Sequence, residues 1–128
     1  ISVHNKFKAS VMASMKVNKH DVSRWGIYNI KKKIDKDNFI INNVVEKPSI
    51  KASPSNNAVI GRYILPKKIF SKLKSLKPGK SGEFHITDAI QALIEDDHQF
   101  IGHNFSGKYL DCGTMKGYIK STLEISKQ

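Results

Sequence analysis

A chain of 128 residues with 39% hydrophobic and 26% charged residues is expected to form a single domain, 1–128, with its own core. It contains neither a signal peptide nor the run of roughly 20 apolar residues that crosses a bilayer, so we expect a cytoplasmic protein with no membrane partner. The single cysteine, Cys112, excludes an intramolecular disulfide. The chain starts at Ile1 rather than at a methionine, which suggests a fragment or a processed product.

The formal net charge of +11 favours polyanionic partners, such as nucleic acids or phosphorylated ligands. The lysines are scattered along the chain and are not interleaved with aromatic residues, and no recognition helix or zinc finger is visible. This distribution argues against a dedicated nucleic-acid module. A solvated, lysine-rich surface that also steers phosphates is the simpler interpretation.

The first half of the chain predicts three strands. Residues 11–17 are mostly apolar, and residues 25–30 combine aromatic and β-branched side chains after a turn at 20–24. A polar hairpin loop, 31–38, leads to an apolar strand at 39–47. Pro48 ends that strand because it has no amide hydrogen for the sheet.

The second half mixes strands with helices. A loop at 49–57 precedes a strand at 58–65, and apolar residues at helical spacing predict a helix at 67–76. Thr87 is the expected N-cap of a helix at 88–97. Short strands at 99–105 and 108–110 and a final helix at 114–126 follow. Helices alternate with strands, yet two strands share a short loop, which predicts an α/β fold with a mixed sheet.

Two candidate sites lie at strand ends. Glu46 and Lys47 close an apolar strand, where ligands bind in open α/β sheets; a merely charged strand end is the alternative. Gly26, between Trp25 and a β-branched residue, would let a ligand approach the backbone, although a β-bulge explains it equally well.

Two further candidates precede helices. Glu83 lies in a loop that leads to a helix, and Asp111 follows a short strand and could hold Mg²⁺ against substrate phosphates. In both cases helix capping is the alternative. Cys112 has no histidine placed to activate it, so we interpret it as a small packed residue.

Taken in order, five motifs resemble the successive blocks of bacterial UTP–glucose-1-phosphate uridylyltransferases. They are D-V-S-R-W-G-I (21–27), V-V-E-K-P (44–48), P-S-N-N-A-V-I-G-R-Y (54–63), G-E-F-H-I-T-D-A-I (82–90) and D-C-G-T-M-K-G-Y (111–118). The resemblance covers residues 9–126 and points to the carboxy-terminal, sugar-binding half of that family.

The resemblance implies the carboxy-terminal part of a Rossmann-like nucleotidyltransferase fold, with a mixed β-sheet and flanking helices. It implies conversion of UTP and glucose 1-phosphate into UDP-glucose and pyrophosphate, by in-line attack of the sugar phosphate with Mg²⁺ as cofactor. Full-length members of the family are expected to be homo-oligomers.

The resemblance also assigns roles to individual residues. Gly26 would offer its backbone to the glucose, Glu46 would bind glucose hydroxyls, and Val59 would line the sugar pocket. Glu83 lies in a family motif and is a further candidate for substrate binding. Lys47, the catalytic candidate, would contact the glucose phosphate. Asp111 would hold Mg²⁺.

Two departures from the family pattern affect this expectation. Trp25 stands where the family usually has tyrosine, which keeps an aromatic floor for the sugar. The glycine-rich nucleotide loop and a second metal-binding aspartate are absent from the 128 residues, so the chain alone is expected to be inactive and a sheet cut in two would expose unpaired strand edges. Two alternatives stay open: a basic, non-catalytic module that binds polyanions, and an enzyme half that assembles with a separate chain.

Overall fold

The computed structural model describes residues 1–78, 82 and 84–127. Within these residues the chain forms five strands, four α-helices and one 3₁₀-helix, Lys19–Arg24. In chain order the other elements are α1 (Ser2–Phe7), β1 (Ser10–Lys16), β2 (Gly26–Lys33), β3 (Asn38–Glu46), β4 (Asn57–Ile64), α2 (Ile69–Ser75), α3 (Ile86–Glu95), β5 (Phe100–Asn104) and α4 (Met115–Ile125).

The five strands close into a barrel in the order β1-β4-β2-β3-β5, with β5 returning to β1. The β1–β5 pair is parallel, and the other pairs are antiparallel. The predicted mixed sheet is therefore confirmed. The expectation of exposed strand edges is wrong for most of the sheet, because closure gives each of these strands a neighbour on both sides. Strands β2 and β4, however, pair only at Ile27 and Ala58, so among the described residues the rest of β4 is unpaired on that side.

The hairpin between β2 and β3 is tighter than the sequence suggested. The predicted loop at 31–38 is wrong for its first residues, because β2 continues to Lys33. Asp35 organises the turn: its Oδ1 accepts the backbone N–H groups of Asp37 and Asn38 at 3.0 and 2.8 Å, and the Asn38 side chain also donates to it. The Asn38 side-chain hydrogen bond is the main cause that lowers the pKa of Asp35.

The main core lies between the inner faces of the strands and the pair α2 and α3. Helix α3 turns an apolar stripe towards this core, because Ala89, Ile90 and Leu93 are almost completely buried. The buried residues of this core are Met12, Tyr28, Phe39, Ile41, Ile69, Ala89, Ile90, Leu93 and Phe100.

Other predictions differ in detail. Helix α3 begins at Ile86 with His85 at the N-cap, so Thr87 lies inside the helix and its predicted capping role is wrong. Residues 108–110, all among those described, form no strand. Helix α4 is confirmed, with Thr114 accepting the N–H of Gly117 as a true N-cap. None of the helices in the described ranges is long and apolar enough to span a bilayer.

Candidate functional site

Gly26 and Glu46 face each other across β2 and β3. A β-carbon at Gly26 would lie 3.0 Å from Oε2 of Glu46, 3.3 Å from Cγ1 of Val44 and 3.4 Å from Cγ2 of Val59. The carboxylate of Glu46 is therefore placed over the bare backbone of Gly26. A ligand that reaches this backbone also meets the carboxylate and an apolar wall.

These residues line a cavity of about 460 Å³, which we call the sugar cavity after the ligand that the resemblance implies. Three of the expected substrate-binding residues, Gly26, Glu46 and Val59, share it. Its lining also includes Ile60, Gly61, Arg62, Tyr63, His85, Ile86, Thr87 and Tyr109. The arrangement combines an exposed carboxylate with an open backbone and aliphatic surface, so that a few polar groups lie in a partly apolar concave lining.

Tyr63 is a site residue that the sequence analysis missed. Burial is the main cause that raises the pKa of its phenol, and the nearby Glu46 carboxylate adds to the effect. A neutral hydroxyl is therefore held beside a carboxylate in the sugar cavity. Strand alternation does not identify it, because the β1–β4 register shifts between Val59 and Tyr63 and Gly61, which lies between them, has a φ of 67°.

Lys47 comes directly after β3 and leaves the strand in a left-handed conformation, with φ of 44°. Its N–H donates to the carbonyl oxygen of Trp25 at 3.0 Å. The change of backbone conformation ends the alternation that would otherwise send Lys47 and Glu46 to opposite faces. Lys47 is exposed and adjoins the sugar cavity through Glu46, although it is not part of the cavity wall.

Asp111 lines a neighbouring cavity of about 640 Å³, which we call the basic cavity. Its Oδ1 accepts the N–H of Gly113 at 3.0 Å. The basic cavity is lined by four cationic side chains, those of Arg24, Lys108, Lys116 and Lys120. It is also lined by two acidic side chains, those of Asp111 and Glu124, and Glu124 is paired with Lys108. An excess of positive charge therefore lies around Asp111, which suits phosphate groups.

Asp111 fits the expected Mg²⁺ as a single carboxylate ligand that acts together with substrate phosphates. The described residues contain no group of three or more His, Cys, Asp or Glu side chains that could enclose a metal ion. Mg²⁺ commonly keeps several waters and binds through one or two carboxylates together with substrate phosphates. A single exposed carboxylate beside a phosphate-attracting cavity agrees with that mode, in which the substrate completes the coordination.

Tyr109 joins the two cavities, because it lines both of them. Its ring packs edge-to-face on Trp25, with centroids 5.3 Å apart and an interplanar angle of 78°. The expected sugar-binding residues and Asp111 therefore lie on adjoining surfaces. Glu83 lies outside the described residues. The expected packing of Cys112 is wrong, because the segment that carries it stays at the surface and leaves it exposed.

The sequence profile of the Nucleotidyl transferase family matches residues 1–128. The chain belongs to this family. A UTP–glucose-1-phosphate uridylyltransferase of Pseudomonas aeruginosa is 38% identical over 122 residues, which is 95% of this chain and 43% of that protein. The chain thus spans less than half the length of the curated relatives that it matches.

Solved structures agree with this family membership. The crystal structure of an apo UDP-glucose pyrophosphorylase superimposes with a TM-score of 0.91 at 37% identity, over 98% of this chain and 45% of that one. A UDP-glucose pyrophosphorylase complexed with UDP-glucose gives a TM-score of 0.87 at 38% identity, over 99% and 48%. The nucleotidyltransferase-like α/β fold with a mixed sheet is confirmed. Neither the bacterial origin nor the carboxy-terminal position that the motifs suggested is confirmed by these matches.

Proposed function

We propose that this chain is the sugar-phosphate-binding part of a UTP–glucose-1-phosphate uridylyltransferase. The observation that carries the proposal is the placement of the Glu46 carboxylate over the Gly26 backbone, beside Val59, in one cavity. The relatives that carry this enzyme name support it, as does the likeness to a structure described as a complex with UDP-glucose. The competing idea, a basic polyanion-binding module, explains the net charge but not this cavity.

The sugar cavity is suited to the glucosyl group. Gly26 has no side chain, so the pyranose ring lies close to the β2 backbone. Glu46 accepts hydrogen bonds from glucose hydroxyls, which are stronger than neutral ones because the acceptor is charged. Val59 packs against the apolar face of the ring, and the neutral hydroxyl of Tyr63 adds a donor close to Glu46.

The phosphate of the sugar lies towards Lys47 and the basic cavity. An oxygen of this phosphate attacks the α-phosphorus of UTP, the bond to the β-phosphate oxygen breaks, and pyrophosphate leaves. Lys47 offsets the negative charge of the attacking phosphate and keeps it aligned with the α-phosphorus. Positioning and charge neutralisation are the main sources of rate in such transfers.

Asp111 is the residue that would hold Mg²⁺ in the basic cavity. When bound, Mg²⁺ neutralises phosphate charge and orients the phosphates. Lys116 and Lys120, one turn apart on α4, add positive charge on the same side. In this proposal the chain binds glucose 1-phosphate and holds Asp111, the Mg²⁺ ligand, at a fixed position relative to that substrate.

The rest of the enzyme completes the site in this proposal. The glycine-rich nucleotide loop of the family lies outside these 128 residues, and UTP is bound largely there. From the V-E-K-P and D-C-G motifs we propose that this part is the carboxy-terminal one, and that the full-length enzyme is a cytoplasmic homo-oligomer. Sequencing the complete reading frame tests the first point, and light scattering of the full-length enzyme tests the oligomeric state.

Calorimetric titration of the full-length enzyme with glucose 1-phosphate and UDP-glucose tests the site. Glu46→Ala and Lys47→Ala are each expected to weaken ligand binding by about tenfold or more, as loss of a charged hydrogen bond or ion contact does. Glu95→Ala and Lys74→Ala remove the same charges from exposed helix positions and are expected to have no effect. Unchanged binding in both site variants would overturn the site, and absence of UDP-glucose formation by the wild type would overturn the activity.

A further inference from the structure

Trp25 connects two segments that the proposed reaction needs. Its carbonyl oxygen accepts the N–H of Lys47 at 3.0 Å, immediately after β3. Its indole ring meets the ring of Tyr109 edge-to-face, with centroids 5.3 Å apart. Tyr109 lies two residues before Asp111 in the sequence. One residue therefore contacts both the phosphate-binding lysine and the segment of the metal ligand.

Trp25 is itself well anchored. The half-buried side chain packs against a small cluster formed by Val22, Ile27 and Ala58, each with 0% exposure. Ile27 and Ala58 also pair across β2 and β4 in the barrel. The indole ring is therefore a fixed feature of the barrel rather than a surface side chain that adapts to its neighbours.

The segment that carries Asp111, residues 105–114, contains no helix or strand. Two of its contacts are made with α4: the Lys108–Glu124 ion pair, and a hydrogen bond that the Ser121 hydroxyl donates to the Asp111 carbonyl oxygen at 3.4 Å. These contacts fix the segment to α4. The ring contact of Tyr109 with Trp25 connects the same segment to the side of the barrel on which the sugar cavity lies.

We propose that the Trp25–Tyr109 ring contact is a positioning device that sets Asp111 relative to Lys47. The inference rests on the proposed function, because it concerns the phosphate and Mg²⁺ groups of that reaction. It assigns the task to the aromatic ring of Tyr109 and not to its hydroxyl. Since the residue Tyr109 is 39% exposed, its replacement should disturb the geometry of the site much more than the folding of the chain.

The first test compares Tyr109→Leu with Tyr109→Phe in the full-length enzyme. Tyr109→Leu is expected to lower kcat and to raise the Mg²⁺ concentration for half-maximal activity, each by about fivefold or more, as misplacement of a catalytic group does. Tyr109→Phe keeps the ring and should stay within about twofold of wild type for both values. Tyr118→Leu makes the same change at an exposed position of α4 and is the control.

Two kinetic outcomes would overturn the inference. Equal values for Tyr109→Leu and Tyr109→Phe would show that the ring contact positions nothing. A rise confined to the KM for glucose 1-phosphate, with unchanged kcat and Mg²⁺ dependence, would show that Tyr109 only lines the sugar cavity. Trp25→Leu removes the other ring and must reproduce the effect on the Mg²⁺ dependence.

A second readout does not depend on turnover. Cys112 is exposed, adjoins Asp111 and is the single cysteine of these 128 residues, so it accepts a nitroxide label once cysteines in the rest of the enzyme are replaced. The electron paramagnetic resonance lines of the label should narrow in Tyr109→Leu and stay unchanged in Tyr109→Phe. Identical line shapes would overturn the inference. If the wild type formed no UDP-glucose, the proposed function would fail while the line shapes still decided the ring contact.

Discussion

A β-carbon at Gly117 would lie 2.3 Å from the carbonyl oxygen of Asp111. The first turn of α4 and the backbone of the expected metal ligand are therefore in direct contact, and only glycine allows their approach. Gly117 also donates its N–H to Oγ1 of Thr114 at 3.0 Å, which starts the helix. Gly117 is the second glycine of the D-C-G-T-M-K-G-Y motif. Its lack of a side chain allows the first turn of α4 to pack directly against the backbone of Asp111.

The first prediction concerns this contact. Gly117→Ala should move Asp111, because the clash involves backbone that no side-chain rotation can relieve, although alanine ordinarily stabilises a helix. We expect the Mg²⁺ requirement of the full-length enzyme to rise and kcat to fall, each about tenfold or more, with little change in glucose 1-phosphate binding. Leu123→Ala, at an exposed position of α4, is the control. An unchanged Mg²⁺ dependence would contradict the role of Gly117.

The second prediction concerns the floor of the sugar cavity. Gly26→Ala places a methyl group 3.0 Å from Oε2 of Glu46, and this oxygen ends a flexible side chain that can move away. The fold should therefore tolerate the change, with less than about 1 kcal/mol lost from the free energy of unfolding. The affinity for glucose 1-phosphate should fall by about tenfold, as expected when a charged hydrogen bond is displaced. Calorimetry and urea unfolding of the same variant separate the two effects, and unimpaired binding would argue against a sugar at Gly26.

The third prediction tests barrel packing away from the cavities. A β-carbon at Gly102 would lie 2.1 Å from Cε2 of Phe39, which is 3% exposed, so β5 passes directly beneath that ring. Gly102→Ala should lower the free energy of unfolding by about 1–3 kcal/mol through overpacking. Phe39→Leu should relieve part of this cost, so that the double variant loses less than the sum of the single ones. Strict additivity in urea unfolding would show that the two residues do not meet.

Local patterns explain why several elements could be predicted. The strands β1, β3 and β4 have apolar or β-branched runs bounded by loops, and α3 has an apolar stripe formed by Ala89, Ile90 and Leu93. Both patterns depend only on residues that are close in the sequence. Closure of the barrel could not be predicted in this way. It depends on the parallel pairing of β1 with β5, which brings Ser10 opposite Phe100 from distant parts of the chain.

The candidate site likewise has some features that the sequence could predict and others that only the tertiary structure reveals. Motif resemblance singled out Gly26, Glu46 and Val59, and the structure brings these three into one cavity. Whether Glu46 and Lys47 could serve one ligand depended on a single backbone angle, the φ of 44° at Lys47, which sequence pattern does not specify. Tyr109 was assigned to a strand, so its position between two cavities, which depends on a tertiary ring contact, could not be anticipated.

The last prediction follows from two tyrosines with raised pKa values. Tyr28 is completely buried and donates its hydroxyl hydrogen to the carbonyl oxygen of Ala13 at 3.0 Å; burial is the main cause that raises its pKa well above the usual value. In Tyr63, burial and the Glu46 carboxylate raise the pKa of the phenol in the same direction. Both phenols therefore keep their protons in the folded state at a pH where the unfolded chain has released them.

The sign of the pH effect is fixed by this difference in proton binding. Above about pH 10, the ordinary pKa of tyrosine, the unfolded state binds fewer protons than the folded state, so stability decreases as pH rises. The stabilisation by both phenols is fully present below that pH. Urea unfolding should therefore show a free energy of unfolding that drops above about pH 10, and Tyr63→Phe should make the drop shallower. Tyr28→Phe should do the same and also lose about 1 kcal/mol at neutral pH, because the Ala13 carbonyl loses its donor. An identical alkaline slope in wild type, Tyr28→Phe and Tyr63→Phe would contradict the burial of these two groups.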